Sequence, residues 1–160
     1  VLGFLSKIAL ESEISRVYFE CNVCGVKQTI LFDSGSPNTV ITLALANSLG
    51  LKAHRSKVTK VYIAGSAIDV VPVTLPLLTM GSLSLTDVRV YAGLDKSWGT
   101  TVLLGLNVMN HIVYTVDRSE GSGFVQLELK NTNADFNRLI SADGRYYITN
   151  PDSPLTPNPL

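Results

Sequence analysis

The sequence predicts a mostly β, barrel-like single domain with one or two short helices. Three observations carry that expectation. Short β-rich runs separated by turn residues recur along most of the 160 residues. Helical patterning is confined to two short stretches, 42–49 and 107–111. Apolar residues make up 46% of the chain and charged residues 16%, a balance that suits a packed core and excludes a disordered polymer. The length fits one domain with a real core.

Taken in order, residues 16–23 and 27–33 read as two strands joined at Cys24-Gly25-Val26, a hairpin signal. A short third run covers 38–41. The helix over 42–49 can be capped by Thr42 and ended by Gly50. Strands at 57–63 and 68–76 flank Ala64-Gly65-Ser66-Ala67, a second hairpin signal. Runs 77–80 and 83–91 follow, divided by Gly81-Ser82. Residues 94–100 form a loop with the only tryptophan, Trp98. The apolar strand 102–104 ends in Gly105, and 107–111 reads as a helical turn. A last hairpin joins 113–116 to 124–129, with Gly121 and Gly123 in its turn. Beyond Lys130 the chain turns polar, and four of the seven prolines fall in the final ten residues. Proline at that density blocks helix and sheet ladders, so an extended tail is expected from about residue 150, after an appendage at 131–149.

Thirteen basic and thirteen acidic residues cancel, and no basic block occurs, which argues against nucleic acid as a partner. The low charge suggests that some surface is covered in an oligomer. No membrane span is expected: the most apolar segment, 70–85, is interrupted by Pro72, Thr74, Pro76, Thr79 and Gly81. Residues 1–10 are apolar but lack the basic start and cleavage-type ending of a signal peptide. Cys21 and Cys24 form a Cys-x-x-Cys pair on a strand running into a turn. A redox pair belongs at a helix N-terminus, and a zinc site needs about four ligands where only His54 and His111 remain. The pair is therefore read as two thiols in a hairpin, no metal is expected, and free thiols without an export signal favour the cytoplasm.

The richest segment is Asp33-Ser34-Gly35-Ser36. The apolar run Ile30-Leu31-Phe32 delivers an aspartate to a tight turn straight off a buried strand, and Val40-Ile41 follows. A carboxylate in that setting is costly unless it is hydrogen-bonded or paired, and the setting suits an acid–base catalyst. It occurs once, so chemistry that needs two such acids requires two copies of the chain. Some seventy positions later comes Val102-Leu103-Leu104-Gly105-Leu106-Asn107.

In order and spacing these two segments, with the hairpin at 57–76 between them, resemble the retropepsin-like (retroviral-type) aspartic proteases. The resemblance covers roughly residues 16–130. It implies a single-lobe closed β-barrel that pairs as a symmetric homodimer, with 1–15 as an N-terminal segment at the dimer interface and 131–160 as a C-terminal extension. It further implies a catalytic Asp33 from each subunit, with no metal or organic cofactor. Like charges held that close share a proton and titrate as a unit. Ser34 takes the hydroxyl position that bonds across the dimer, and Gly35 lets the backbone turn at the carboxylate. Ser36 is expected to donate a hydrogen bond to an outer carboxylate oxygen, which would lower the apparent pKa of the pair. Gly105 and Asn107 support the loop; Asn107 is expected to hydrogen-bond near it or to cap the short helix. Leu106 stands where many viral enzymes carry arginine, so apolar packing or terminal segments must hold the dimer.

The hairpin tip Tyr62, Ile63, Ala64, Gly65 and Ser66 is the flap candidate, a lid whose backbone would pair with an extended peptide or protein substrate. Pocket walls are expected from Ile30, Val61, Ile63, Val71 and Leu103, favouring apolar side chains around the cut. Asp117 reads as a turn closer, and Asp143-Gly144 as an ordinary turn. The implied function is homodimeric aspartic endopeptidase. The rival reading is a non-catalytic binding or assembly module of the same fold.

Overall fold

A computed structural model describes residues 6–10, 16–53, 55–63, 65–94, 102–119, 123–130 and 136–140. His54, Ala64, the Trp98 loop, Gly121, Asp143-Gly144 and the Pro-rich tail lie outside the described residues. The elements run β1 (Ser6–Ala9), β2 (Tyr18–Val23), β3 (Val26–Phe32), β4 (Val40–Thr42), α1 (Leu43–Ser48), a 3-10 turn (Arg55–Lys57), β5 (Thr59–Ile63), β6 (Ser66–Met80), β7 (Leu83–Gly93), β8 (Val102–Leu104), α2 (Leu106–Met109), β9 (Ile112–Asp117), β10 (Phe124–Leu129) and β11 (Asn137–Ile140). Neither helix is long and apolar enough to cross a membrane.

Six strands close on themselves in the order β7-β4-β8-β3-β2-β6, with β6 pairing back to β7. This is the mostly β closed barrel that the sequence predicts. Two parallel pairings, β3 with β8 and β4 with β7, sit among antiparallel ones. β5 and β11 extend β6 and β7 outside the ring, and β1-β10-β9 form a separate three-stranded sheet.

Local chemistry explains the connections. The β2–β3 turn places Cys24 at φ 50° and Gly25 at φ 83°, so both central residues are left-handed, as a two-residue hairpin requires. The Cys24 N–H donates to the Leu77 carbonyl at 2.9 Å, tying the turn to β6. Thr42 caps α1 by accepting from the Leu45 N–H at 3.1 Å, and Gly50 (φ 69°) ends it. Asp117 closes its turn by accepting from the Ser119 N–H at 2.9 Å, and the Ser119 side chain, then this N–H, hold its carboxyl below the usual range.

One expectation needs revision. The break near residue 76 does not occur: β6 is one strand of 15 residues through Pro72 and Pro76. Between its pairings with β5 at Ser66–Val70 and with β2 at Leu78–Thr79, β6 has, among the described residues, only β7 beside it. Proline is tolerated on such a half-edge. Tyr91, the register partner of Pro72, gives its N–H to Thr39 on the other side, so this position asks no ladder hydrogen bond of Pro72. Opposite Pro76 the ladder skips Asp87, which sits at φ 53°. In the appendage after Lys130, whose structure the sequence leaves open, residues 137–140 form a strand paired with Leu83–Thr86, and Phe136 is buried.

Strand parity sorts the apolar side chains into two clusters. Ile30, Ile41, Val71, Val102 and Leu104 face the main core with Phe19, Leu75 and Leu85. Their neighbours Leu31, Val40, Val70 and Leu103 face the other way and meet Val61 and Ile68.

Candidate active site

β3 and β8 run parallel in register, Phe32 beside Leu104, and the next residue is Asp33. The Asp33 N–H donates to the Leu104 carbonyl at 2.9 Å, which fixes where the strand gives way to the loop. The loop then folds back on its own acid: the Gly35 N–H donates to Asp33 Oδ1 at 3.1 Å and the Ser36 N–H to the Asp33 carbonyl at 3.1 Å. Asp33 is half-buried, and Ser34 and Gly35 are exposed. Behind it, Phe32 is held edge-on between Phe19 and Tyr114, at 5.3 and 5.0 Å between ring centres.

Beneath the loop lies a polar network. The Leu106 and Asn107 N–H groups at the start of α2 donate to the carbonyls of Ser36 (2.8 Å) and Pro37 (3.1 Å). Thr39, fully buried, accepts from the Gly105 N–H at 3.1 Å and donates its hydroxyl to Asn107 Oδ1 at 2.7 Å. Asn107 Nδ2 in turn donates to the Arg89 carbonyl at 2.9 Å on β7. The loop, β7 and α2 are thus locked through one threonine and one asparagine. The fit is close enough to dictate glycine at 105: a Cβ there would fall inside the Asn38 carbonyl and 2.8 Å from the Ser36 oxygen.

The structure brings together Asp33, Gly35, Ser36, Gly105 and Asn107. It revises the contact expected of Ser36. That hydroxyl is buried and donates to the Asn38 carbonyl at 2.8 Å, while accepting the Asn38 N–H at 3.3 Å. The turn at Pro37 brings its own backbone within reach, so the hydroxyl braces the loop and does not touch the Asp33 carboxylate. Asn107 bonds to the loop as expected; the helix cap is Gly105. Thr39 escaped sequence reasoning, its one available signal being a threonine between a Pro-Asn turn and an apolar strand.

The flap candidate stands apart from this network. Ile63 pairs with Ser66 across a two-residue turn in which Gly65 has φ 82° and open space around it. Tyr62 is 68% exposed, and Ile63 packs on the second apolar cluster with Val61 and Leu103. Ile30 and Val71, expected as pocket walls, belong to the main core; parity puts their neighbours Leu31 and Val70 on the outer cluster instead. A cleft of about 370 Å³ opens beside the loop, lined by Asn38, Lys57, Thr74, Arg89, Tyr91 and Asn107 among others.

The Cys pair lies in the β2–β3 hairpin, as expected. Burial and then the neighbouring Glu20 push the Cys21 thiol up to about 12, the opposite of what a reactive thiolate needs.

Comparison with known proteins agrees with this architecture. No curated protein sequence matches the chain. A retropepsin-like aspartic protease from Rickettsia conorii superposes with a TM-score of 0.57 at 20% identity, covering 79% of this chain and 92% of that one. The retroviral protease-like domain of Ddi1 from Leishmania major gives 0.48 at 14% identity, covering 78% and 95%. The family model for aspartyl proteases matches residues 19–108, from β2 through the Asp33 loop and the β5–β6–β7 hairpins into α2. With more than half of its length matched and a retropepsin-like barrel around Asp33, this chain belongs to the aspartyl protease family.

Proposed function

We propose that the protein is an aspartic endopeptidase active as a homodimer. The observation that carries this reading is the single Asp33, half-buried on a braced loop at the end of an apolar strand. One such acid per chain calls for a second copy. Across a twofold axis the two Asp33 carboxylates would hold one proton between them. The ionised member takes a proton from a bound water while the protonated member polarises the peptide carbonyl. The water oxygen bonds to the carbonyl carbon. The C–N bond then breaks as the amine nitrogen takes up a proton, with no covalent enzyme intermediate.

In this reading Ser34 and Gly35 complete the catalytic loop, and Ser36, Gly105 and Asn107 position it. The hairpin tip from Tyr62 to Ser66 is the flap that closes on an extended peptide. Residues 16–130 form the protease domain, with 1–15 contributing to the dimer and 131–160 extending from it. The substrate is an extended polypeptide with apolar side chains around the cut, received by the cluster of Leu31, Val61, Ile63 and Leu103.

The test is peptide cleavage by native protein and by Asp33→Asn, with molecular mass in solution and circular dichroism recorded on the same samples. The expected outcome is a dimer whose cleavage falls by at least about a thousandfold in the folded variant. Cleavage retained in Asp33→Asn, or carried by a monomer, overturns the mechanism. A folded dimer that cleaves nothing from acid to neutral pH supports a non-catalytic assembly module instead.

A further inference from the structure

We infer that the cleft beside the Asp33 loop is a recognition site for an acidic side chain of the peptide substrate, read by Arg89 and Lys57. This rests on the endopeptidase reading and adds a charge preference to it. The cleft shares Asn38 and Asn107 with the network under Asp33, so it adjoins the loop on the β6–β7 side. Its volume of about 370 Å³ exceeds what one side chain fills. Among the described residues two cations line it, and no carboxylate does. Among the described residues neither Arg89 nor Lys57 makes an ion pair, whereas the exposed Lys60 on the neighbouring hairpin is paired to Asp69 at 2.7 Å.

Around these cations Asn38, Thr74, Tyr91 and Asn107 offer polar groups, and Pro72 and Val73 give apolar walls. An arginine with an open fork beside amide and hydroxyl groups is suited to a carboxylate. The chain is neutral overall, so the cleft departs locally from the protein's charge balance. The cleft adjoins the loop without Asp33 in its lining, so the carboxylate that enters it belongs to a flanking position outside the pair joined by the cut bond.

The experiment uses two fluorescein-labelled decapeptides with the same apolar Leu-Phe centre, one flanked by glutamate and the other by lysine. Binding is measured by anisotropy to full-length Asp33→Asn, alone and combined with Arg89→Glu or Lys57→Glu. Cleavage of the same peptides by protein with Asp33 intact runs in parallel. The expected result is about fivefold tighter binding of the glutamate peptide at low salt. That preference should shrink as salt rises and be lost or inverted in Arg89→Glu. Equal binding of both peptides, or a preference that survives both charge reversals, overturns the inference. Cleavage without glutamate preference removes the cleft's role and leaves the protease. Glutamate-selective binding without any cleavage keeps the cleft and removes the protease. Neither binding nor cleavage sinks both.

Discussion

The loop that carries Asp33 and the hairpin that ends at Gly65 are built on opposite principles. The loop is polar yet buried beneath: Ser36 and Thr39 are inaccessible, and each spends its hydroxyl on two hydrogen bonds. The hairpin is held by its own strand ladder, by the exposed Lys60–Asp69 pair and by Val61 and Ile63 packing on the second apolar cluster, while Tyr62, Gly65 and Ser66 are exposed. One region fixes a carboxylate; the other is the proposed flap. Rigidity here comes from satisfied buried polar groups, and an unmade partner in such a network is expensive. A lid is drawn from the weakly held end of the molecule.

The two glycines give the sharpest contrast. Gly105→Ala should cost about 3 kcal/mol or more, because its Cβ meets the Asn38 backbone and neither side can yield. Urea denaturation measures this, and a loss under about 1 kcal/mol would mean the loop is not braced as described. Thr39→Val keeps the shape but strands the Gly105 N–H and Asn107 Oδ1, with an expected loss of about 2 kcal/mol.

Ser36→Ala comes next, at about 1 kcal/mol, since a buried hydroxyl bond to Asn38 is removed. Because that hydroxyl serves the backbone, the acid limb of the pH–rate profile should stay in place. A move to higher pH would show that the hydroxyl reaches the carboxylate in the assembled enzyme. Gly65→Ala meets empty space and carries only the strain of φ 82°, roughly 1 kcal/mol confined to the tip, so turnover should change more than the unfolding midpoint.

The smallest effect belongs to Lys60→Ala. Asp69 raises the Lys60 pKa through a hydrogen bond and its charge, but the ammonium is fully exposed. A raised folded pKa gives stability that is present below the unfolded value and lost as pH rises through the folded one. Exposure screens it, and the denaturation midpoint should not move measurably at neutral pH.

Much of this contrast was legible in the sequence. Apolar approach, Asp-Ser-Gly and Leu-Leu-Gly are local patterns, and they lead to Asp33 and Gly105. Thr42, Gly25 and Gly50 likewise announce their caps and turns. What stayed hidden depends on distant partners. Thr39 matters because Gly105 and Asn107 arrive beside it from more than sixty residues away. β6 runs through two prolines because of which neighbours it lacks. Ile30 and Leu31 look alike as text, and only the barrel decides which of them faces the site.

The closed ring has a consequence for how the molecule comes apart. Among the described residues each of its six strands has a bonded neighbour on both sides over at least part of its length, whereas β1, β5, β9 and β11 each have one. Amide hydrogens in the ring should therefore exchange with solvent deuterium together, at the rate of global opening, while those of the four outer strands exchange earlier. The proposed flap takes its first two residues, Tyr62 and Ile63, from one of these outer strands, β5, so its backbone would be free to pair with a peptide while the barrel that presents Asp33 stays shut.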